Sequence, residues 1–367
     1  MTSPQSDLKS FADLAERFGK RELAPRALDL DNYPFVPFNQ AALDAARSAG
    51  LMGVNRPEAL GGVGQGMAAL CEVLYALARE DASFAAVLLI DALARSTLMA
   101  CGQPEAARAD GLIGLPAYDL PHDPQRDLIA TATDDGFTLT GRVEYVTLAS
   151  IAGALLLPTT LADGGIGLFL VDAGNVGLTI SPPVISLGLR GCPLADVTLA
   201  AVRVRPDRLL TRDARRDFAA AVIPYQAAAA ALAAGIADGS FHAARAYTAE
   251  RYQGGKMIIE YDMIRQMLAG IAVAAATGRA LFRAMAGAAD GSEGDQREAA
   301  SLLASGFILA AEQASAVTTD GVQCLGGYGY MEDYGQEKRM RDAKQVQGLF
   351  GPAPARRLGL LAGILIS

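Results

Sequence analysis

In this 367-residue chain, the side chains that offer chemistry cluster in two C-terminal runs. In Glu250-Arg251-Tyr252-Gln253-Gly254-Gly255-Lys256, Arg251 supplies a guanidinium whose planar fork suits phosphate oxygens. In Gln323-Cys324-Leu325-Gly326-Gly327-Tyr328-Gly329-Tyr330, the glycines let backbone approach a ligand closely. The plainer alternatives are a salt bridge from Arg251 to Glu250 or Glu260, and a helix stop at Gly326 and Gly327. Tyr225 is a poor base, because a phenol with a pKa of about 10 needs a large downward shift before it accepts protons near neutrality. A core or interface tyrosine is the simpler reading. Glu332, Asp333 and Asp342 sit in loop or helix-end settings where charge pairing is the expected role.

Metal chemistry finds little support. The only histidines, His122 and His242, read as surface or loop residues, and Cys71, Cys101, Cys192 and Cys324 stand singly without ligand spacing. Scattered thiols suit a reducing compartment, so a cytoplasmic protein is expected. A formal charge of −8 argues against a nucleic-acid groove or an anionic membrane surface. The first residues are polar, without the apolar stretch of a signal peptide. The apolar runs 227–234 and 358–366 are too short to span a bilayer, so no membrane span is expected.

The elements that must position these groups change texture twice. Residues 1–110 read as a helical bundle, with helices over 8–23, 38–50, 67–79 and 83–100. Residues 111–211 carry short strands near 137–139, 142–146, 154–157, 166–171, 178–180 and 196–204, implying a small barrel or sandwich. Residues 212–367 return to helices over 218–251, 256–286, 296–322 and 354–366. The fold class is therefore α+β: helices, then strands, then a C-terminal four-helix bundle.

That order, together with five local motifs, resembles the acyl-CoA dehydrogenase family over essentially the whole chain. Arg56-Pro57-Glu58 with Gly61-Gly62-Val63-Gly64 resembles its PE-x-x-GG-x-G loop. Leu187-Gly188-Leu189-Arg190-Gly191, followed by Val197–Val204 and Pro206, resembles the strand stretch that closes its middle domain. The Arg251 run resembles its ER-x-x-FGK element, with Gly254 in place of the aromatic, and the Gln323 run resembles Q-x-x-GG-x-G-[FY]. Arg341-Asp342-Ala343-Lys344 matches its RDAK box.

The resemblance implies FAD-dependent α,β-dehydrogenation of an acyl-CoA thioester, with an electron-transferring flavoprotein as electron acceptor. A glutamate takes the α-proton and the flavin takes the β-hydride. It also implies that each flavin lies across a dimer interface. Arg251, Gln323, Gly326, Gly327 and Gly329 would then serve a partner's FAD, while Tyr145 and Thr147 remain from this chain's own flavin strand. The rest of that home side has changed. Leu115-Pro116-Ala117-Tyr118-Asp119-Leu120 replaces the TEP-x-AGSD loop, and Phe350-Gly351-Pro352-Ala353-Pro354 replaces EGTS-[EQ]. The usual catalytic glutamate thus falls on Phe350, and the alternative family position falls on Tyr225. A subunit without its own base, completing the FAD site of a homologous catalytic chain, is the leading expectation. A self-sufficient enzyme with another base and a cofactor-free structural module are the alternatives.

Overall fold

The computed structural model describes residues 4–119, 127–291 and 296–365; His122 and Leu120 lie outside them. The first block holds helices α1 (Pro4–Phe18), α2 (Gln40–Ser48), α3 (Gly66–Ala78), α4 (Ala82–Ala100) and the short α5 (Pro104–Arg108). Helical turns carry the α1 segment on to Leu23. Local chemistry sets the boundaries. The Asn39 side chain accepts the Ala42 N–H at 3.2 Å to start α2, and Gly50 at φ 77° ends that segment. Asp81 starts α4 by accepting the Ser83 N–H at 3.0 Å.

The middle block contains β1 (Leu112–Gly114), β2 (Leu128–Thr133), β3 (Gly136–Thr147), β4 (Ala152–Thr160), β5 (Ile166–Asp172), β6 (Leu178–Ile180), β7 (Leu194–Val204) and β8 (Leu209–Thr211). The strands form one sheet in the order β6-β7-β3-β2-β4-β5-β8, with β1 parallel to β4. Its antiparallel halves meet only at the parallel bridge Ile129↔Thr160, so they can fold over a shared core. Leu139, Val143, Leu155, Leu157, Phe169, Val197 and Leu199 fill that core from both halves. The segments expected at 137–139 and 142–146 are one strand, because register shifts around Gly141 and Val146 absorb the break in alternation.

The last block comprises α6 (Ala214–Glu250), α7 (Asp262–Asp290), α8 (Gln296–Leu325), α9 (Gln336–Val346) and α10 (Ala353–Leu365). Helix α6 is its axis. Ala227 to Ala234 are all buried, and small side chains let α3, α4, α7 and α8 approach its backbone. The helix expected over 256–286 begins instead at Asp262. Lys256–Met257 (β10) pairs with Tyr252–Gln253 (β9) in a hairpin whose turn residues, Gly254 and Gly255, have φ of 66° and 93°. Helical periodicity extended the expected element too far back, into a hairpin strand and a short helical turn that precede Asp262.

Among the described residues four helices, α4, α6, α7 and the α8 segment, are long and apolar enough by length and composition to cross a membrane, which uninterrupted apolar runs alone did not show. The apolar windows of α4 and α6 are 89% and 72% buried inside the protein, so their apolarity serves the core. Those of α7 and α8 are only 33% and 39% buried.

The RDAK box staples the three blocks together. Lys338 lies 2.7 Å from Asp342 and 3.4 Å from Asp81, all three buried. Asp342 also accepts the Leu189 N–H at 2.6 Å, and Arg341 pairs with Glu337 and Asp31 while donating to the Leu187 carbonyl at 2.9 Å. Burial alone would push Lys338 down, but the carboxylates of Asp342 and Asp81 hold it above its ordinary value.

Candidate functional site

The end of α6, the β9–β10 hairpin and the C-terminal end of α8 enclose an open pocket of about 710 Å³. Arg251, Gln323, Gly326 and Gly327, drawn from runs about seventy residues apart in the sequence, all line it. Arg251 is the residue at which the helix stops, its N–H donating to the Tyr247 carbonyl at 3.0 Å. Its guanidinium lies 5.5 Å from the ring centre of Tyr328, which itself packs on Tyr334 at 5.1 Å and Tyr247 at 6.2 Å. The expected alternative, a salt bridge to Glu250 or Glu260, is not formed among the described residues; Glu260 accepts the Met257 N–H at 3.2 Å instead. A charged fork therefore lies beside tyrosines at the pocket wall, with no ion-pair partner among the described residues. The sequence reading missed this aromatic support, although Tyr247 stands one helical turn before Arg251.

The glycines divide by role. Gly326 has φ 58°, and no atom lies within 4 Å of a Cβ built on Gly326 or Gly327, so this backbone is open to a ligand. Gly329 was expected among the ligand-facing residues but is buried, and a Cβ there would meet the Val322 carbonyl oxygen at 2.2 Å. Its need is packing of the turn against α8. Gly329→Ala is expected to cost about 1–3 kcal/mol by chemical denaturation, whereas Gly327→Ala should leave stability nearly unchanged. Gly254 has a similar reason to lack a side chain: a Cβ would lie 2.5 Å from the Tyr261 hydroxyl, which is 2.7 Å from the Gly254 carbonyl.

Tyr145 and Thr147 lie away from this pocket, on β3. Tyr145 is half exposed at φ 54°, with its N–H donated to Asp196 at 3.0 Å. Thr147 exchanges backbone hydrogen bonds with Leu115 at 2.9 and 3.2 Å, and its buried Oγ1 has no partner among the described residues. From Leu115 the chain runs to Ala117, whose carbonyl accepts the Phe350 N–H at 2.8 Å. The replaced loop and the replaced C-terminal segment thus close on each other. Phe350 is 1% exposed and packs on Phe307 at 5.8 Å, while Arg356 stacks on Phe307 from 4.4 Å and donates to the Gln347 carbonyl at 2.7 Å. Burial lowers Arg356 to about 10, the mark of a guanidinium drawn into the packing.

Tyr225 is equally closed in. It is 2% exposed, donates to the Ala92 carbonyl at 2.9 Å and accepts from Asn55 at 3.0 Å. Burial outweighs these and other hydrogen bonds and pushes the phenol up to about 12, away from the value a base requires. Because the folded pKa exceeds the ordinary value of about 10, the stabilisation is intact below that value and is lost as pH rises through about 12. A difference titration of the wild type against Tyr225→Phe should accordingly show no tyrosinate from this residue until strongly alkaline pH.

No group of metal-ligating side chains occurs among the described residues, and His242 is half exposed beside Asp238 at 3.6 Å. The cysteines are all unpaired, three of them buried.

Comparison with known proteins places this geometry. Residues 5–109 match the acyl-CoA dehydrogenase N-terminal domain and residues 225–362 the acyl-CoA dehydrogenase C-terminal domain. The chain is 30% identical over 372 residues to cyclohexane-1-carbonyl-CoA dehydrogenase of Syntrophus aciditrophicus, covering 96% of this chain and 95% of that protein. It is 29% identical over 360 residues to cyclohex-1-ene-1-carbonyl-CoA dehydrogenase of Geobacter metallireducens, covering 92% and 93%. Butyryl-CoA dehydrogenase from Megasphaera elsdenii superposes with a TM-score of 0.87 at 25% identity, covering 100% of this chain and 99% of that one. A structure described for the electron transferring flavoprotein of Acidaminococcus fermentans shares the fold, with a TM-score of 0.90 at 22% identity. A glutaryl-CoA dehydrogenase of this fold from Mycobacterium smegmatis was solved with FADH2. Sequence motifs, architecture and relatives agree: the chain belongs to the acyl-CoA dehydrogenase family, whose cofactor is FAD.

Proposed function

We propose that this chain is a half-site subunit of an acyl-CoA dehydrogenase, lending the Arg251 pocket to FAD held mainly by a homologous, glutamate-bearing chain. The observation that carries this reading is the contrast between two places. At the nucleotide end, a guanidinium without an ion-pair partner among the described residues and an open glycine backbone fit a pyrophosphate and its adenosine. At the ring end, the Ala117–Phe350 hydrogen bond and the Phe307–Phe350 packing leave an apolar closure in the base's position. When FAD is bound it supplies hydride acceptance. This chain's own residues would neutralise phosphate charge and order the nucleotide, with no proton taken by Phe350 or Tyr225. The largely exposed apolar helices α7 and α8 suit a chain that another subunit covers.

The test is co-expression with a family member that carries the glutamate and the TEP-x-AGSD loop. A yellow complex is expected, in which Arg251→Ala weakens FAD retention by about ten- to hundredfold, the loss of a charge-assisted contact. A complex whose flavin content ignores that substitution would contradict the proposal.

A second reading, in which the chain holds its own flavin, draws on the buried, unpartnered Thr147 hydroxyl and the exposed Tyr145 ring. It requires an acid elsewhere and predicts a yellow homo-oligomer bleached by an acyl-CoA.

A further inference from the structure

A second, separate cluster of charge lies within the N-terminal block. Arg47 at the end of α2, Arg56 in the loop before α3, Arg95 on α4 and Arg108 on α5 line one pocket of about 320 Å³, together with Asp91 and Asp110. Most of these charges are already matched. Arg95 is held by Asp91 at 2.7 Å and by the carbonyls of Ala107, Ala109 and Gly111, so that pair is neutral and saturated. Arg47 pairs with Asp44 at 3.3 Å, and Arg108 donates to the Ala59 carbonyl.

Arg56 differs. Its guanidinium makes no hydrogen bond or ion pair among the described residues, and its Nε is buried without an acceptor. Burial and the neighbouring charge of Arg95 lower its pKa, while Asp91 and Asp110 oppose this from positions too far for contact. A half-buried, uncompensated guanidinium beside a saturated ion pair is unfavourable unless something supplies the missing oxygens. The pocket is roomy enough for an oxyanion, and Met52, Leu60 and Val63 add apolar wall beside the charge. Two parallel N–H groups on a rigid fork match two oxygens of a carboxylate or a phosphate.

We infer that this pocket is an oxyanion site in which Arg56 binds a carboxylate or phosphate group, with Asp110 as a competing negative charge at the rim. The inference is independent of the half-site proposal, because none of these residues belongs to the Arg251 pocket or to the Phe350 closure.

The experiment is calorimetric titration of the purified full chain with sodium butyrate and, separately, with sodium phosphate, at ionic strength matched with sodium chloride. Saturable binding of at least one anion is expected. Butyrate binding more tightly marks an organic acid as the natural class, and phosphate binding more tightly marks a phosphate. Arg56→Met should weaken binding at least about tenfold, the loss of a charge-assisted fork. Asp110→Asn, at an exposed position where folding is not at stake, should tighten binding severalfold. Absence of saturable heat from both anions, or affinity unchanged in Asp110→Asn, would overturn the assignment.

Discussion

Truncating Phe350 to alanine is expected to lower stability by about 3–5 kcal/mol, read from the shift in a chemical denaturation midpoint. The ring is 1% exposed, packs on Phe307, and belongs to a segment tied to Ala117 by a backbone hydrogen bond. Its backbone sits at φ 61°, a conformation unfavourable for any residue with a Cβ. Alanine would keep that strain while losing the packing that offsets it, which places the effect at the upper end of a large-to-small change. Phe350→Glu should be comparably harmful. A carboxylate placed there would be desolvated in a largely apolar closure, where the nearby Arg356 is already engaged with Phe307 and backbone carbonyls. Position alone does not make a base; the space around it must admit substrate.

Lys338→Met is the second large effect, about 3–5 kcal/mol, because it leaves Asp81 and Asp342 buried without their shared cation. Asp342 already has its pKa raised, chiefly by burial, and Lys338 is the main group opposing that. Without the lysine, Asp342 is expected to bind a proton more readily still. The variant's stability should therefore fall as pH rises, since a raised carboxyl pKa favours the folded state only where the group stays protonated. Adding Asp342→Asn to Lys338→Met should recover part of the loss at neutral pH. A full additive loss in the double variant would show that the network does not act as described.

Much of this was legible in the residues themselves. The block order followed from periodicity changing twice, and the Arg251 and Gln323 runs were singled out by their resemblance to two family motifs, which the structure brings to one pocket. The helix expected from Lys256 starts only at Asp262, because the residues before it belong to a hairpin that depends on positive φ at Gly254 and Gly255, which spacing cannot show. Gly329 looked the same in sequence as Gly326 and Gly327, yet only packing against Val322 separates their roles. That Phe350 stands where the resemblance places the family's glutamate was visible as a residue type. That the position is also sealed, by Ala117 from a segment more than two hundred residues away, is a long-range contact no local pattern encodes. Uninterrupted apolar runs also understate the length of a helix such as α6, where single polar residues punctuate a long apolar element whose apolar window is 72% buried.

The most direct test of the account is an absorbance titration of the isolated chain with FAD, followed by addition of an acyl-CoA. No stoichiometric flavin binding and no bleaching are expected from this chain by itself, with flavin held only once a glutamate-bearing partner is present. One FAD per chain in the isolated protein, reduced on adding an acyl-CoA, would contradict it.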